Sequence, residues 1–600
     1  MRRSALHLRL FCMLVCAAIS STPAFALDDL KFDVVGDDSG LGDDLRVASL
    51  VVSALNEQRT EPRDILSAAL ADYGRLLETL YANGYYGGTI NIRVDGREAA
   101  SIPLLSVPTR ISQIVISVDP GPVFRFGRAV IAPLAPQTTL PAGFETGQPA
   151  RSVLIRDAVG AAVGRWRDVG HAKATPTGQR ITADHNVRTL SAEVQIDPGP
   201  RVRFGNLKVT TPSAVRVDKI ARIAGLPEGE VFSPETLARV TTRLRRTGAF
   251  TSVSMTEAET LGPDDSMDIS LAVVDEKPRR FGFGAELSSL EGLDLSGFWL
   301  RRNLFGGAER LRIEANIGNI AGQTGGVDFQ VGARIDVPAR LGPDTKVFAL
   351  TEFETLDELN FTSDQFSLGA GVTWYLSDRV EAQAGVTYVY SDTKDAIGAR
   401  SFSVLTFPTS VKWDNRDDPL DPTGGAFANV EATPFLGLSG SASGARLFVD
   451  GRGYRGLGQD DGVVLAGRVQ VGSIIGAGIT EVQPDYLFYS GGGGTVRGQP
   501  YQSLDVDLGG GRLVGGRTFV GLAFEARTTI SGNFGAVAFV DAGYIGAENF
   551  FDGSGDWHSG AGVGLRYKTG IGPIRLDVAA PVSGTTGSGV QVYIGIGQAF

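Results

Sequence analysis

From about residue 280 to the C-terminus the chain alternates apolar and polar residues with a period of two, in segments of roughly ten residues broken by Gly, Asn and Asp turns. Leu311, Ile313, Ala315 and Ile317 alternate with Arg310, Arg312, Glu314 and Asn316; Val380, Ala382, Ala384, Val386, Tyr388 and Tyr390 alternate with Glu381, Gln383, Gly385 and Thr387. Charge on the second face means that face is wet, so the apolar face must meet something other than a protein core. Apolar-out, polar-in alternation of this length marks an outer-membrane-type barrel. About sixteen such segments fit into 280–600, and a barrel of that size encloses an aqueous lumen. A soluble sandwich accounts for the strands but leaves the wet faces unexplained. It also leaves 590–600, V-Q-V-Y-I-G-I-G-Q-A-F, as an apolar edge, with Val590, Val592, Ile594, Ile596 and Phe600 sharing one face. Closure in lipid gives such a strand a partner on each side.

Residues 1–26 read as a secretory signal: Arg2, Arg3 and Arg9, an apolar stretch through 11–18, then Ala24-Phe25-Ala26 as a small-x-small cleavage site. The mature chain is expected to begin near Leu27. Both cysteines, Cys12 and Cys16, lie in the signal, so no disulfide or cysteine-metal site is expected beyond it. Removing three arginines takes the net charge from −11 to −14, and an acidic chain without a basic tract is a poor nucleic-acid binder. After the signal no apolar run approaches the roughly 18 residues of a transmembrane helix. Only His171, His185 and His558 remain beyond the signal, and H-E-x-x-H, Walker A and G-x-S-x-G motifs are absent, so neither an enzyme nor a cofactor is expected.

Residues 27–276 carry an internal repeat. The phrase V-D-P-G-P-V-F-R-F-G at 118–127 returns as I-D-P-G-P-R-V-R-F-G at 196–205, and Asp275 and Pro278 fall at the next such interval. A second marker recurs at Gly84-Tyr85, Gly170-His171 and Gly248-Ala249-Phe250. In the third copy Ser233 precedes Pro234, Leu237, Val240 and Leu244 follow at helical spacing, and Gly248 supplies a left-handed end. Strands follow, the last with Ile269, Leu271 and Val273 on one face. A repeat of this length is a small α+β domain rather than a solenoid unit.

The longest irregular stretch, about 475–516, falls between the eleventh and twelfth segments and contains G-G-G-G-T-V-R-G-Q-P-Y at 491–501. Its glycines permit tight backbone paths, so the loop can fold inward, which would put Arg497 in the lumen and in need of an acidic partner; on the residues alone the reading of Arg497 as a solvated arginine of an extracellular loop is the stronger one. Two segments on, Phe539, Asp541 and Gly543 share a face opposite Ala538, Val540 and Ala542, which directs Asp541 to the lumen. Glu525 and Arg527 are further charged candidates.

The repeats resemble POTRA domains, with three expected at 27–117, 118–195 and 196–276 before a barrel at 277–600. V-R-G (Val496, Arg497, Gly498) in a glycine-rich loop, followed by F-x-D-x-G (Phe539, Asp541, Gly543), resembles the Omp85 superfamily, which implies that Arg497 contacts Asp541 inside the barrel. The residue after V-R-G is usually aromatic there and is Gln499 here, with Tyr501 two later. The turn phrase W-D-N-R-D-D-P-L-D-P-T-G-G at 413–425 and the stretches 562–567 and 572–577 resemble that superfamily's eighth-to-ninth turn and fourteenth and fifteenth strands. Three repeats rather than five or two make the chain similar to the TamA family within it.

That resemblance implies an outer-membrane assembly factor with its arm in the periplasm, acting on unfolded outer-membrane protein clients, including autotransporters, in contact with the lipid bilayer. It further implies an inner-membrane-anchored partner of the TamB type. Neither nucleic acid, nor metal, nor nucleotide is implied. A lateral seam is expected between 280–290 and 589–600, at Phe283, Ala285, Gly595, Gly597 and Phe600, where glycine contributes no cross-strand packing. The rival reading is a passive channel or a two-partner-secretion-type pore.

Overall fold

A computed structural model describes residues 29–36, 40–57, 59, 61–103, 107–458, 462–570 and 572–600. The expected signal, with Cys12 and Cys16, lies outside the described residues. The chain divides into two compact units: one built from residues up to 204 with 229–235 and 262–266, the other from 205–228, 236–261 and 267–600.

The first unit contains two small mixed sheets. In one, Gln113–Asp119 lies between Asp29–Val34, to which it is parallel, and Thr89–Val94, to which it is antiparallel. Helix Pro62–Ala82 covers this sheet because Ile65, Leu66, Ala69, Leu76 and Leu80 recur at helical spacing on one buried stripe. Asp72 is buried on the same stripe, where it accepts from Ser49 Oγ at 2.6 Å and from Leu50 N–H at 2.7 Å, so it caps the start of helix Leu50–Asn56. The other sheet places Thr189–Asp197 between Arg125–Ala132, again parallel, and Thr175–Asp184, with helix Ser152–Asp168 against it.

A third sheet, grouped mainly with the second unit, places Ser266–Asp275 between Arg203–Val209 and Phe250–Glu257, behind helices Val217–Ala224 and Pro234–Arg246. All three sheets therefore put their last strand in the middle. The repeated phrase is also repeated geometry: Asp119 Oδ1 accepts from Gly121 N–H and Asp197 Oδ1 from Gly199 N–H, each at 3.0 Å, with both glycines left-handed (φ +65° and +63°). The last strands run on to Asp119, Asp197 and Asp275.

The remainder is a closed antiparallel barrel of sixteen strands from Arg279–Ser288 to Gln591–Ile596. The eighth is in two pieces, Gly398–Thr406 and Thr409–Asp414, both paired with the seventh, Val380–Asp395, and the ninth, Gly424–Leu438. Pro408 sits in the break, where its missing N–H cannot join the ladder. Along the thirteenth strand, Phe534–Gly546, Val540 is exposed outward while Phe539 and Asp541 are buried inward, which is the alternation read in the sequence. No described helix is long and apolar enough to cross a membrane.

The C-terminus departs from expectation. The sixteenth strand stops at Ile596, Gly597 takes a left-handed conformation (φ +96°) and gives its N–H to Pro573 O at 2.7 Å, and Phe600 turns into the barrel against Tyr454 and Ala466. Phe600 therefore does not share the outer face of Ile594 and Ile596. An aromatic at the end of an alternating run keeps its face only while the backbone stays extended, and Gly597 ends that.

Candidate functional site in the barrel lumen

The loop 476–517 joins the eleventh strand, Val463–Ile475, to the twelfth, Thr518–Ser531, and folds into the lumen. Its neck closes where Ser490 and Leu504 exchange backbone bonds, and Gly492 N–H reaches Gln499 O at 3.0 Å. Gly491 lies at φ +118°, and a Cβ there would stand 2.0 Å from Pro500 O, so only glycine lets the chain double back here.

At the tip, Val496 and Arg497 are buried, and Arg497 is held on all sides. Its Nε and Nη2 donate to Asp541 Oδ2 and Oδ1 at 2.7 and 3.0 Å, a fork-on-fork pair, and its own backbone N–H reaches Oδ2 at 3.1 Å. Nη1 donates to Glu525 Oε1 at 2.6 Å and approaches Asp577 Oδ2 at 3.4 Å. The guanidinium lies 3.6 Å over the Phe539 ring. Around it, Arg527 Nε donates to Glu525 Oε2 at 2.8 Å, and Arg566 pairs with Asp577. Three guanidiniums thus face three carboxylates, and the buried network is neutral, the condition under which such charges are tolerated away from water.

The loop backbone is pressed onto the wall. A Cβ on Gly498 (φ +92°) would come 2.7 Å from Ala580 O, one on Gly560 would meet Arg497 O at 2.0 Å, and one on Gly543 would meet Ser490 Oγ at 2.1 Å. Gln499, where an aromatic was the expected type, is buried and fully bonded: Nε2 donates to Ser559 O at 2.7 Å and Ser583 O at 2.9 Å, and Oε1 accepts from Thr586 at 2.9 Å. Its amide sews the loop to the fourteenth strand, Asp556–Tyr567, and the fifteenth, Ile574–Ser583.

The barrel closes through a short ladder. The first strand pairs with the second, Gly292–Arg302, along its whole length, yet meets the sixteenth only at Leu287↔Ile594 and Ser288↔Tyr593, with Ser289 N–H donating to Val592 O just beyond. Phe283 and Ala285 have no partner on the sixteenth strand, and Gly595 pairs with Arg575 of the fifteenth. The loop reaches both sides of this junction. Gly498 N–H donates to Tyr593 Oη at 3.1 Å, Gln591 Nε2 donates to Gly498 O at 3.1 Å, and across the seam Gly493 N–H donates to Glu291 Oε1 at 3.1 Å. An Arg575–Glu286 ion pair spans the same gap. Phe600 lies beside the network, its main-chain oxygen accepting from Arg527 Nη2 at 3.1 Å.

Of the residues singled out in the sequence, Val496, Arg497, Gly498, Phe539, Asp541 and Gly543 come together with Glu525 and Arg527. Phe283, Ala285, Gly595 and Gly597 lie beside the seam without pairing across it. Sequence reasoning missed Asp577, Arg566, Gln591, Tyr593, Arg575 and Glu286. Parity offered a signal for two of them: Arg575 and Asp577 alternate with Ile574, Leu576 and Val578, which places them on the wet face. Among the described residues no cluster of three or more His, Cys, Asp or Glu is arranged to hold a metal ion.

A closed sixteen-strand wall, a charged, ion-paired interior and an inward-folded loop define an outer-membrane-type barrel whose lumen is occupied by its own chain. Residues 303–600 match the Omp85 superfamily domain, a family of outer-membrane barrels to which this barrel is similar. The fold is shared with BamA from Haemophilus ducreyi lacking POTRA domains 1-3, at a TM-score of 0.61 and 17% identity over 79% of this chain and 100% of that one. It is shared also with CdiB from Acinetobacter baumannii, at 0.52 and 11% over 79% and 90%.

Proposed function

We propose that this protein assembles or inserts β-strand clients at the outer membrane, in the manner of the TamA family, by opening the seam between its first and sixteenth strands. The observation that carries this reading is the closure itself, two ladder pairs where neighbouring strands share six to ten. The first strand leaves Arg279 to Glu286 without a ladder partner on that side, so an incoming extended segment can add to it by backbone hydrogen bonding. The lumenal loop holds the junction from inside through Tyr593, Gln591 and Glu291, so its position sets whether the seam is tied. Three like-built α+β sheets before the barrel support a reading as POTRA domains in the periplasm, where their edge strands can pair with unfolded clients and with an inner-membrane-anchored partner of the TamB type.

The test is a lock. Leu287 and Ile594 are cross-strand neighbours facing lipid, and the chain has no cysteine beyond position 16, so Leu287→Cys with Ile594→Cys forms one defined cross-link. Oxidation should stop client insertion into liposomes and reduction should restore it. A locked barrel that inserts clients at the unlocked rate removes the lateral mechanism. Steady open-pore conductance in planar bilayers, with insertion unaffected, would favour the passive channel instead.

A further inference from the structure

Of the three histidines beyond the expected signal, His558 alone lies in the barrel, as the third residue of the fourteenth strand, and it is fully buried. Its neighbour Trp557 is exposed on the outer face, so His558 points inward, at the neck of the lumenal loop. The ring is bonded at both nitrogens. Nε2 lies 2.8 Å from Ser490 Oγ in the neck, and Nδ1 lies 2.9 Å from Thr586 Oγ1 in the turn 584–590, which leads into the sixteenth strand. That turn is packed down beside the ring: a Cβ on Gly584 (φ +97°) would stand 2.7 Å from His558 Cβ.

The surrounding bonds fix where the hydrogens are. Gln499 Nε2 faces two carbonyls, Ser559 O and Ser583 O, so the amide cannot be turned over, and its Oε1 accepts from Thr586 Oγ1. Thr586 has one hydroxyl hydrogen and has given it to Gln499. Toward His558 it can therefore only accept, which puts a hydrogen on Nδ1. Among the described residues the ring bonds to hydroxyls alone, so a buried imidazolium would lack a counter-charge, and the neutral ring leaves Nε2 to accept from Ser490 O–H. The bonds then run in one direction, from Ser490 through His558 and Thr586 to Gln499. We propose that His558, held as the neutral Nδ1–H tautomer, is a positioning residue for the seam: it makes the neck of the loop and the turn 584–590 move together, so that the sixteenth strand follows the loop. Separating either end leaves a buried donor or acceptor unmet, which keeps the two in step. The use of this coupling in opening rests on the lateral-seam reading, whereas the coupling itself exists without a client.

The full-length chain in detergent, without client, tests the coupling apart from insertion. With isotope-labelled histidine, the nitrogen signals that His558→Ala removes should be those of a protonated Nδ1 and an unprotonated Nε2. Thr586→Val, at the turn, should lower hydrogen-exchange protection over 488–492 in the neck about tenfold, and Ser490→Ala, at the neck, should do the same over 584–590, as expected where a buried partner is left unmet. In the His558→Ala background neither substitution should change the far segment further, because the link is already gone. A hydrogen on Nε2 instead of Nδ1 overturns the proposal. So does protection within about twofold of the parent at the far segment in either single variant, or an undiminished far effect in the His558→Ala background.

Discussion

Replacing Arg497 by alanine removes the cation on which the lumenal loop turns. The network of Arg497, Arg527 and Arg566 against Glu525, Asp541 and Asp577 is neutral, so Arg497→Ala leaves one net negative charge in a site where all three carboxylates are buried. Stripping one partner from a buried pair costs about 3–5 kcal/mol. The lower end applies here, because the backbone N–H of residue 497 stays on Asp541 Oδ2 at 3.1 Å and Glu525 keeps Arg527 at 2.8 Å. The cost falls on docking of the loop and not on the wall, whose ladders do not involve Arg497. At about 1.4 kcal/mol per factor of ten, 3 kcal/mol raises the undocked fraction roughly a hundredfold. Hydrogen exchange read by mass spectrometry measures this directly: protection over 491–501 should fall by about that factor while peptides from the fifth and sixth strands keep theirs. In the double variant with Asp541→Asn the remaining network is neutral again, and its loss should be smaller than the sum of the singles by roughly 1–3 kcal/mol. Protection within about threefold of the parent in Arg497→Ala, or strictly additive effects in the double, refutes the reasoning.

Gly560→Ala, which touches no charge, should undock the same loop, since its Cβ would meet Arg497 O at 2.0 Å; about 1–3 kcal/mol is expected in the same exchange assay. Tyr501 donates to Glu358 Oε1 at 3.0 Å in the turn after the fifth strand, where burial first and the negative charge of Asp328 second raise the Glu358 carboxyl to about 7. A raised folded value contributes stability that is whole below the ordinary carboxylate range and lost as pH rises through about 7, so protection at 500–504, corrected for intrinsic rates, should be lower at pH 8 than at pH 6, and Glu358→Gln should abolish the difference. A fragment spanning 27–276 should unfold cooperatively by circular dichroism, with the third sheet its weakest part because Ala308 and Ala339 of the barrel turns complete that core; a non-cooperative melt rejects independent folding of the arm.

The barrel was legible in the sequence because period-two alternation is local: whether Asp541 faces the lumen follows from Val540 and Ala542 facing lipid, and needs no knowledge of any other strand. The repeated D-P-G-P phrase was equally legible, since an Asp accepting from a glycine N–H two residues on is a contact within one turn. Arg497 and Asp541 were joined by the resemblance to the Omp85 superfamily; the glycine run allowed an inward path and parity supplied a lumenal carboxylate, but the residues alone left Arg497 readable as a solvated loop arginine. Tertiary structure alone decided the rest. Asp577, Arg566 and Tyr593 reach the same loop because closure curls the fourteenth to sixteenth strands around it, and closure depends on strand tilt and stagger summed over the whole wall. That sum also sets the first and sixteenth strands in register at Leu287 and Ser288 alone. The inward turn at Gly597 was hidden for a related reason: alternation states which face a side chain takes while the strand lasts, and where the strand ends is settled by what the backbone finds to bond with, here Pro573 O.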